Sequence, residues 1–318
     1  MQYKIAFVDS GAGGLQFMLD VYRELEPALL HLQKQYAIQF IFTHIGDTLY
    51  APYGNQSSAT LKRLSHDLIR HAVEIEQAEV CMIACNTVSS LYESEGYVAD
   101  CKLFPIISRS SEHLYKQAVQ NAALGKPLNI GILSTAFTEK TQIYPTLLSQ
   151  LAGNNAHIYS HVPESWVDFI ESGNLASPSL RQNIQQAIGI LTKNGSVFFD
   201  AVGLFCTHYP IVQKLIREAF THYGQPDVCL VSQGTVFAQP LLEHIQQDII
   251  TKAVAKRLSP LDNTAIRLMS KVTGNVALMQ SIADQLVPLQ TISCERVVIE
   301  KKPDYYRENL PFLYKEVV

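Results

Sequence analysis

Two stretches of the chain each run from apolar residues into a cysteine followed by small polar residues. They are Ile83-Ala84-Cys85-Asn86-Thr87 and Leu204-Phe205-Cys206-Thr207-His208-Tyr209-Pro210. Each reads as a strand delivering a thiol to the start of a helix, and Pro210 suits a first helical turn because its missing N–H costs nothing there. Thiols suit proton transfer, since their ordinary pKa near ~8.5 is pulled toward neutrality by a helix N-terminus or a cation. Two thiols on opposite sides of one carbon would take a proton from one face and return one to the other. That chemistry inverts a stereocentre. Three blander readings stand beside it. Either thiol could be a small apolar filler, the pair could be a disulfide, or Cys81, Cys85, Cys206 and His208 could hold zinc. Residues 81 and 85 on one strand lie about 13 Å apart at ~3.3 Å per residue, too far to share a metal.

Positioning these groups requires alternating strands and helices. Lys4–Val8 is an apolar run of the kind buried on both faces of a sheet, and it ends in Asp9-Ser10-Gly11-Ala12-Gly13-Gly14-Leu15. Glycines at such a strand-to-helix turn permit positive φ and close backbone approach, and the amides that follow can hold an anion. The spacing is not that of a dinucleotide fingerprint, because no third glycine follows Gly13 by three positions. Further strands are expected at 38–45, 80–84, 104–107, 128–133, 157–162, 201–205, 228–231 and 297–299. Helices are expected at 57–77, 110–122, from about 139 to 151, 179–193, 235–255 and about 275–285. The pattern predicts an α/β fold of two similar halves with mostly parallel sheets, whose strand ends would make a cleft if they face one another. Residues 1–108 plus 235–318 would form the first domain and 109–234 the second.

The composition narrows the function classes. The chain has 318 residues, 47% hydrophobic and 17% charged, with a formal net charge of −4 and no long Lys/Arg run. This excludes a disordered chain and makes nucleic acid a poor partner. No apolar run reaches the ~20 residues of a membrane span, and the first residues lack the pattern of a secretory signal. The expectation is a cytoplasmic protein whose six cysteines are free thiols. Cys81, Cys101, Cys229 and Cys294 read as fillers.

Four motifs together resemble the glutamate racemases of the aspartate/glutamate racemase superfamily. They are Asp9-Ser10-Gly11-Ala12-Gly13-Gly14-Leu15, Asp47 with Pro52-Tyr53-Gly54, Ala84-Cys85-Asn86-Thr87, and Cys206-Thr207-His208-Tyr209-Pro210. Weaker echoes are Thr135, Thr138 and Tyr144, and Ile170-Glu171 with Gly173. The resemblance implies two pseudo-symmetric α/β domains with the active site in the cleft between them, and a two-base racemase without cofactor or metal, acting on glutamate as its small-molecule partner. Aspartate, another amino acid, or binding without catalysis are the alternatives. It implies Cys85 and Cys206 as the bases, Asp9 assisting Cys85, and His208 and Glu171 assisting on the other side. Ser10, Pro52, Tyr53, Gly54, Asn86, Thr87, Thr135, Thr138 and Thr207 would bind substrate. A homodimer is the assembly considered, and D-glutamate for peptidoglycan the product.

Local readings remain open beside these roles. Asp9 reads equally as a cap of the first helix, Thr135 and Thr138 read as caps of theirs, and a glutamate near a helix end such as Glu171 commonly faces solvent. The chain departs from the resemblance at Ala12, where a larger residue is usual, and at Val231-Ser232-Gln233-Gly234, where an aspartate-containing turn is expected. The segment 301–318 has no assigned role.

Overall fold

A computed structural model describes residues 1–95, 102–255, 266–287 and 292–299. The first series of elements is β1 (Gln2–Asp9), α1 (Ala12–Tyr36), β2 (Gln39–Gly46), α2 (Ser58–Arg70), β3 (Val80–Ile83), α3 (Asn86–Glu95), β4 (Lys102–Pro105) and α4 (Ile107–Asn121). The second series is β5 (Leu128–Ser134), α5 (Ala136–Thr141), α6 (Ile143–Ala152), β6 (Ala156–His161), α7 (Trp166–Glu171), α8 (Pro178–Leu191), β7 (Ala201–Phe205), α9 (Gln213–His222) and β8 (Cys229–Ser232). The chain then runs through α10 (Gln233–Ala255), β9 (Arg267–Val272), α11 (Val276–Leu286) and β10 (Ser293–Arg296).

The strands form two parallel sheets, one of six in the order β10-β9-β2-β1-β3-β4 and one of four in the order β6-β5-β7-β8. Four adjacent strands of the first sheet, β2-β1-β3-β4, repeat the order of the second. In such an order the crevice opens where the connections diverge, outside the carboxyl ends of the first and third strands of each series. That rule points to the ends of β1 and β3 in one sheet and of β5 and β7 in the other. Cys85 and Cys206 follow the equivalent strands β3 and β7.

Both sheets are covered on both faces, which is why their strands read as nearly continuous apolar runs. Alternate residues of β1 separate cleanly. Tyr3, Ile5 and Phe7 join the core under α1, α10 and α11, while Ala6 and Val8 face α2 and α3. In the second sheet Val202 and Leu204 pack under α7, α8 and α9, and Ala201 and Phe205 under α4 and α6. Trp166, the only tryptophan of the chain, anchors α7. It is fully buried, meets Tyr209 edge-on at 5.0 Å, and donates from Nε1 to Asn183 Oδ1 at 2.8 Å.

Several expected boundaries differ. The helix expected from about residue 139 starts earlier and is divided at Gln142, whose φ of 51° is left-handed. The last strand lies at Ser293–Arg296 and not at 297–299, where the chain forms no strand. The strand β9, which falls between the helices expected at 235–255 and about 275–285 and is not among the expected strands, pairs with β2. Its alternation of Leu268, Ser270 and Val272 inward with Arg267 outward is a half-buried pattern that a polar count obscures. Cys81 is core as expected, Cys229 and Cys294 are half-buried at core margins, and Cys101 and 301–318 lie outside the described residues. No described helix is long and apolar enough to cross a membrane.

The Trp166 anchor is testable. Trp166→Ala removes a fully buried ring and should lower the unfolding free energy by about 3–5 kcal/mol, read from urea denaturation followed by circular dichroism. A loss below about 1 kcal/mol would mean that α7 is not held by this side chain.

Candidate active site

Cys85 sits between the end of β3 and the first turn of α3, and is 5% exposed. Its Sγ lies 3.9 Å from Ser10 Oγ, a weak thiol contact. Burial pushes this thiol well above its ordinary pKa, and the neighbouring Asp9 carboxylate pushes it further. The Val88 amide of the α3 N-terminus and the Ser10 hydroxyl act in the opposite sense. Asp9, the last residue of β1, is completely buried. Burial raises its carboxyl pKa, against the lowering effects of the His208 charge and the Ser10 amide. Oδ2 accepts from Thr207 Oγ1 at 3.0 Å. Oδ1 is buried without a conventional donor; Cys85 is near enough to interact with the carboxylate but does not satisfy that oxygen.

The other thiol has a different environment. Cys206 follows β7, is also 5% exposed, and its Sγ lies 3.6 Å from Nδ1 of His208. Nε2 of His208 is 2.5 Å from Oε1 of Glu171, which closes α7. Burial alone would push His208 down, but Cys206 and Glu171 together hold it well above the ordinary imidazole value. Burial alone would push Glu171 up, but His208 and the Ala12 amide hold it below the ordinary carboxylate range. The pairing favours the imidazolium, in which Nε2 donates to Glu171 and Nδ1 faces the Cys206 sulfur. Glu171, readable from sequence as a solvent-facing residue, is a partner of His208.

The loop after β1 closes onto this second centre. Ala12 N donates to Glu171 Oε1 at 2.6 Å. A Cβ on Gly11 would lie 1.9 Å from that same oxygen, and one on Gly13 would lie 2.3 Å from Thr207 Oγ1 and 2.8 Å from the His208 backbone nitrogen. These glycines serve close approach. Gly11 has φ −165°, which is ordinary extended backbone, and neither it nor Gly13 has positive φ. The anion held by the loop amide is the protein's own carboxylate. Asp9 of the first sheet thus reaches Thr207 of the second, and Glu171 of the second reaches Ala12 of the first.

The remaining substrate-binding candidates divide into groups. Tyr53 donates from its hydroxyl to Asp47 Oδ2 at 2.8 Å, while Thr273 donates to Oδ1 at 2.8 Å. Pro52 precedes the short turn at Tyr53–Asn55, and Gly54 faces Thr135, with its Cβ position 3.8 Å from the threonine side chain. Thr135 caps α5, accepting from the Thr138 amide at 3.4 Å, and the two hydroxyls are 3.0 Å apart. Thr87 is buried beside Asn86 at the start of α3. Asn86 and Gln233 pair amide to amide, at 2.7 Å and 3.2 Å in the two directions. Tyr144 donates to Asn86 Oδ1, and Gln233 also donates to Tyr144 Oη at 2.9 Å and to Ser110 Oγ at 3.0 Å. Gln233, Ser110, His44 and Thr273 are polar partners that motif reading missed. The departure at Gln233 from an expected aspartate turn was the available signal for one of them.

No family model matches the chain, but curated proteins resemble it along most of its length. One from Aliarcobacter butzleri is 27% identical over 240 residues, covering 75% of this chain and 82% of the relative. One from Listeria monocytogenes serotype 4b is 28% identical over 303 residues, covering 95% of this chain and 100% of the relative. These relatives are glutamate racemases. The fold is likewise that of solved glutamate racemases. A Bacillus anthracis isoform superposes with a TM-score of 0.71 at 22% identity, covering 94% of this chain and 99% of that one. A Francisella tularensis enzyme solved with D-glutamate gives 0.69 at 17% identity, covering 95% and 98%.

Both thiols are buried, each 5% exposed. A cavity of about 440 Å³ between α3 and α5–α6, lined by Ser90, Leu91, Phe137 and Ile143, does not include either thiol.

The Glu171–His208 pair sets a testable protonation state. The lowered Glu171 value contributes stability above the ordinary carboxyl pKa that is lost as pH falls through the lowered value. The raised His208 value contributes stability below the ordinary imidazole pKa that is lost as pH rises through the raised value. His208 should remain protonated above pH ~6.5 in a ¹⁵N NMR titration, and Glu171→Gln should move its titration downward. A His208 that titrates in the ordinary range in the intact protein would contradict this pairing.

Proposed function

We propose that this chain interconverts L- and D-glutamate by a two-base mechanism that needs no cofactor, with Cys85 and Cys206 as the bases. The observation that carries the reading is the delivery of two thiols by equivalent strands of two repeated sheets, one beside a carboxylate and the other beside an imidazolium. The similarity to curated glutamate racemases supplies the substrate. In one direction the thiolate of one cysteine removes the Cα proton, leaving the electron pair on the α-carbon and its carboxylate. The thiol of the other then protonates the opposite face. The proton lost by the substrate stays on the first sulfur, the second becomes a thiolate, and the two cysteines have exchanged roles. Nothing is oxidised or reduced.

The environments fit this division. His208, held protonated by Glu171, places positive charge beside Cys206 when that sulfur carries the negative charge. Asp9 and burial favour the neutral thiol at Cys85, which then serves as the proton donor. The unsatisfied Oδ1 of Asp9 is an acceptor suited to the substrate ammonium. Ser10, Thr87 and Thr207 offer hydroxyls or amides to its carboxylate. Pro52, Tyr53, Gly54, Asn86, Thr135 and Thr138 shape the surrounding shell. The proposed domain limits are 1–108 with 235–318 and 109–234; the two separate sheets support such a division, and its borders fall within α4 and α10. We further propose a cytoplasmic, homodimeric enzyme supplying D-glutamate for peptidoglycan.

Incubation with L-glutamate in deuterated water should yield D-glutamate carrying deuterium at Cα, with aspartate turned over more slowly. Cys85→Ser and Cys206→Ser should each lower kcat/KM by about 10²–10⁴. Absence of Cα exchange in either enantiomer, from a folded sample, would sink the reading, and full turnover by either serine variant would sink the two-base assignment.

A further inference from the structure

His44 lies on β2 of the first sheet and belongs to none of the motifs that identify the site. It is completely buried, with Nε2 3.0 Å from the Gly11 carbonyl oxygen and Nδ1 2.9 Å from Ser270 Oγ on β9. A carbonyl only accepts, so Nε2 carries the hydrogen, and Nδ1 then accepts from the Ser270 hydroxyl. The ring is wedged in place, since a Cβ on Gly14 would lie 2.9 Å from its Nε2 and Cδ2 atoms. Burial pushes His44 down to about 4, so it is a neutral imidazole with a fixed tautomer across the physiological range.

The acceptor of that N–H is one end of a peptide group whose other end is in the candidate site. The Gly11 carbonyl and the Ala12 amide belong to the same planar unit and point in opposite directions. His44 holds the carbonyl end, and Glu171 Oε1 takes the amide end at 2.6 Å. The other donor to this carbonyl, Gly14 N, stands at a longer 3.3 Å. Glycine on one side of the peptide makes its reorientation easy. A reoriented peptide would turn a carbonyl oxygen toward the Glu171 carboxylate, and the two would repel.

We infer that His44 is a positioning residue for the acid–base pair of the opposite sheet. It fixes the Gly11–Ala12 peptide so that the Ala12 amide keeps Glu171 on His208 and, through it, His208 on Cys206. The connected path runs from Ser270 through His44, the peptide, Glu171 and His208 to the Cys206 sulfur, and each link is a hydrogen bond or thiol contact given above. This inference rests on the proposed role of Cys206 and His208, but its first readout does not depend on turnover.

The charged or titratable groups facing His208 are Cys206, Glu171, Asp9 and His44. His44 is neutral, so losing it changes His208 only through Glu171. In the full-length protein His44→Phe should therefore lower the His208 titration seen by ¹⁵N NMR, in the same direction as Glu171→Gln. It should also lower kcat/KM by about 10- to 100-fold, the scale of a small misplacement in a catalytic group. His44→Asn, whose amide is too short to reach Gly11, should behave alike and serves if the phenylalanine variant does not fold. His44→Gln, whose amide reaches the same acceptor, should restore both readouts. In a Glu171→Gln background His44→Phe should add little, because the link it supports is already cut. An unchanged His208 titration in a folded His44→Phe or His44→Asn variant would overturn the inference. So would fully additive losses in the double variant. Loss of the His208 shift with no racemisation even in the intact protein would uphold the positioning role and refute the proposed activity.

Discussion

The carboxylate of Glu171 is the constraint on which the rest of the site depends. It accepts from the Ala12 amide on the loop of one sheet and from His208 on the loop of the other, so one buried charge registers the two halves against each other. Two charges taken out of water are costly unless every remaining polar direction is met, and removing a partner typically costs about 3–5 kcal/mol because the survivor is left uncompensated. Here the backbone amide supplies the additional hydrogen bond. That bond in turn requires the Gly11 loop to approach within van der Waals contact of the carboxylate, and no side chain at position 11 would leave it room. The glycine motif, the helix end bearing Glu171 and the Cys-Thr-His motif thus express one geometric requirement.

The repeated strand order explains why there are two thiols, and the unlike loops explain why they are not equivalent. The turn after β3 leads Cys85 directly into a helix beside Asp9. The turn after β7 inserts Thr207 and His208 before its helix begins. The proposed proton exchange between two faces of a carbon would require one group to be an acid while the other is a base, a division that unlike environments favour. A buried thiol next to a carboxylate and a thiol next to an imidazolium differ in the sign of the neighbouring charge. Thr207 donating to Asp9 then joins the two environments.

Legibility in the sequence followed the kind of interaction involved. The parallel α/β plan was readable because strands covered on both faces leave uninterrupted apolar runs, as in Lys4–Val8 and Ala201–Phe205. The strand β9 was missed and β10 misplaced because a partly exposed strand such as Arg267–Val272 mixes Arg, Ser and Lys into its pattern. The two cysteines, Asp9, His208 and Glu171 sit in local motifs and could be named. Which carboxylate meets which base was carried over by resemblance, and the structure supplies the contacts. His44 and Ser270 were invisible because their relevance comes from pairing across strands far apart in the chain, one of them on the strand that was missed. The glycines signalled close approach correctly, yet not what approached.

The polar groups of the closed site mostly satisfy one another, and this bears on how a substrate would be recognised. Asn86, Tyr144, Gln233 and Ser110 form a network in which the Asn86 carbonyl already accepts two donors, and Tyr53 is committed to Asp47. A ligand competing for these groups would exchange one set of hydrogen bonds for another and gain little, because the net value of such an exchange is only about 0.5–1.5 kcal/mol. Asp9 Oδ1 is different. It is buried without a conventional donor, so a substrate ammonium that reaches it relieves a desolvation cost that the protein otherwise bears. In the proposed reaction, recognition of the substrate ammonium would thus fall to the same carboxylate that adjoins Cys85 and accepts from Thr207.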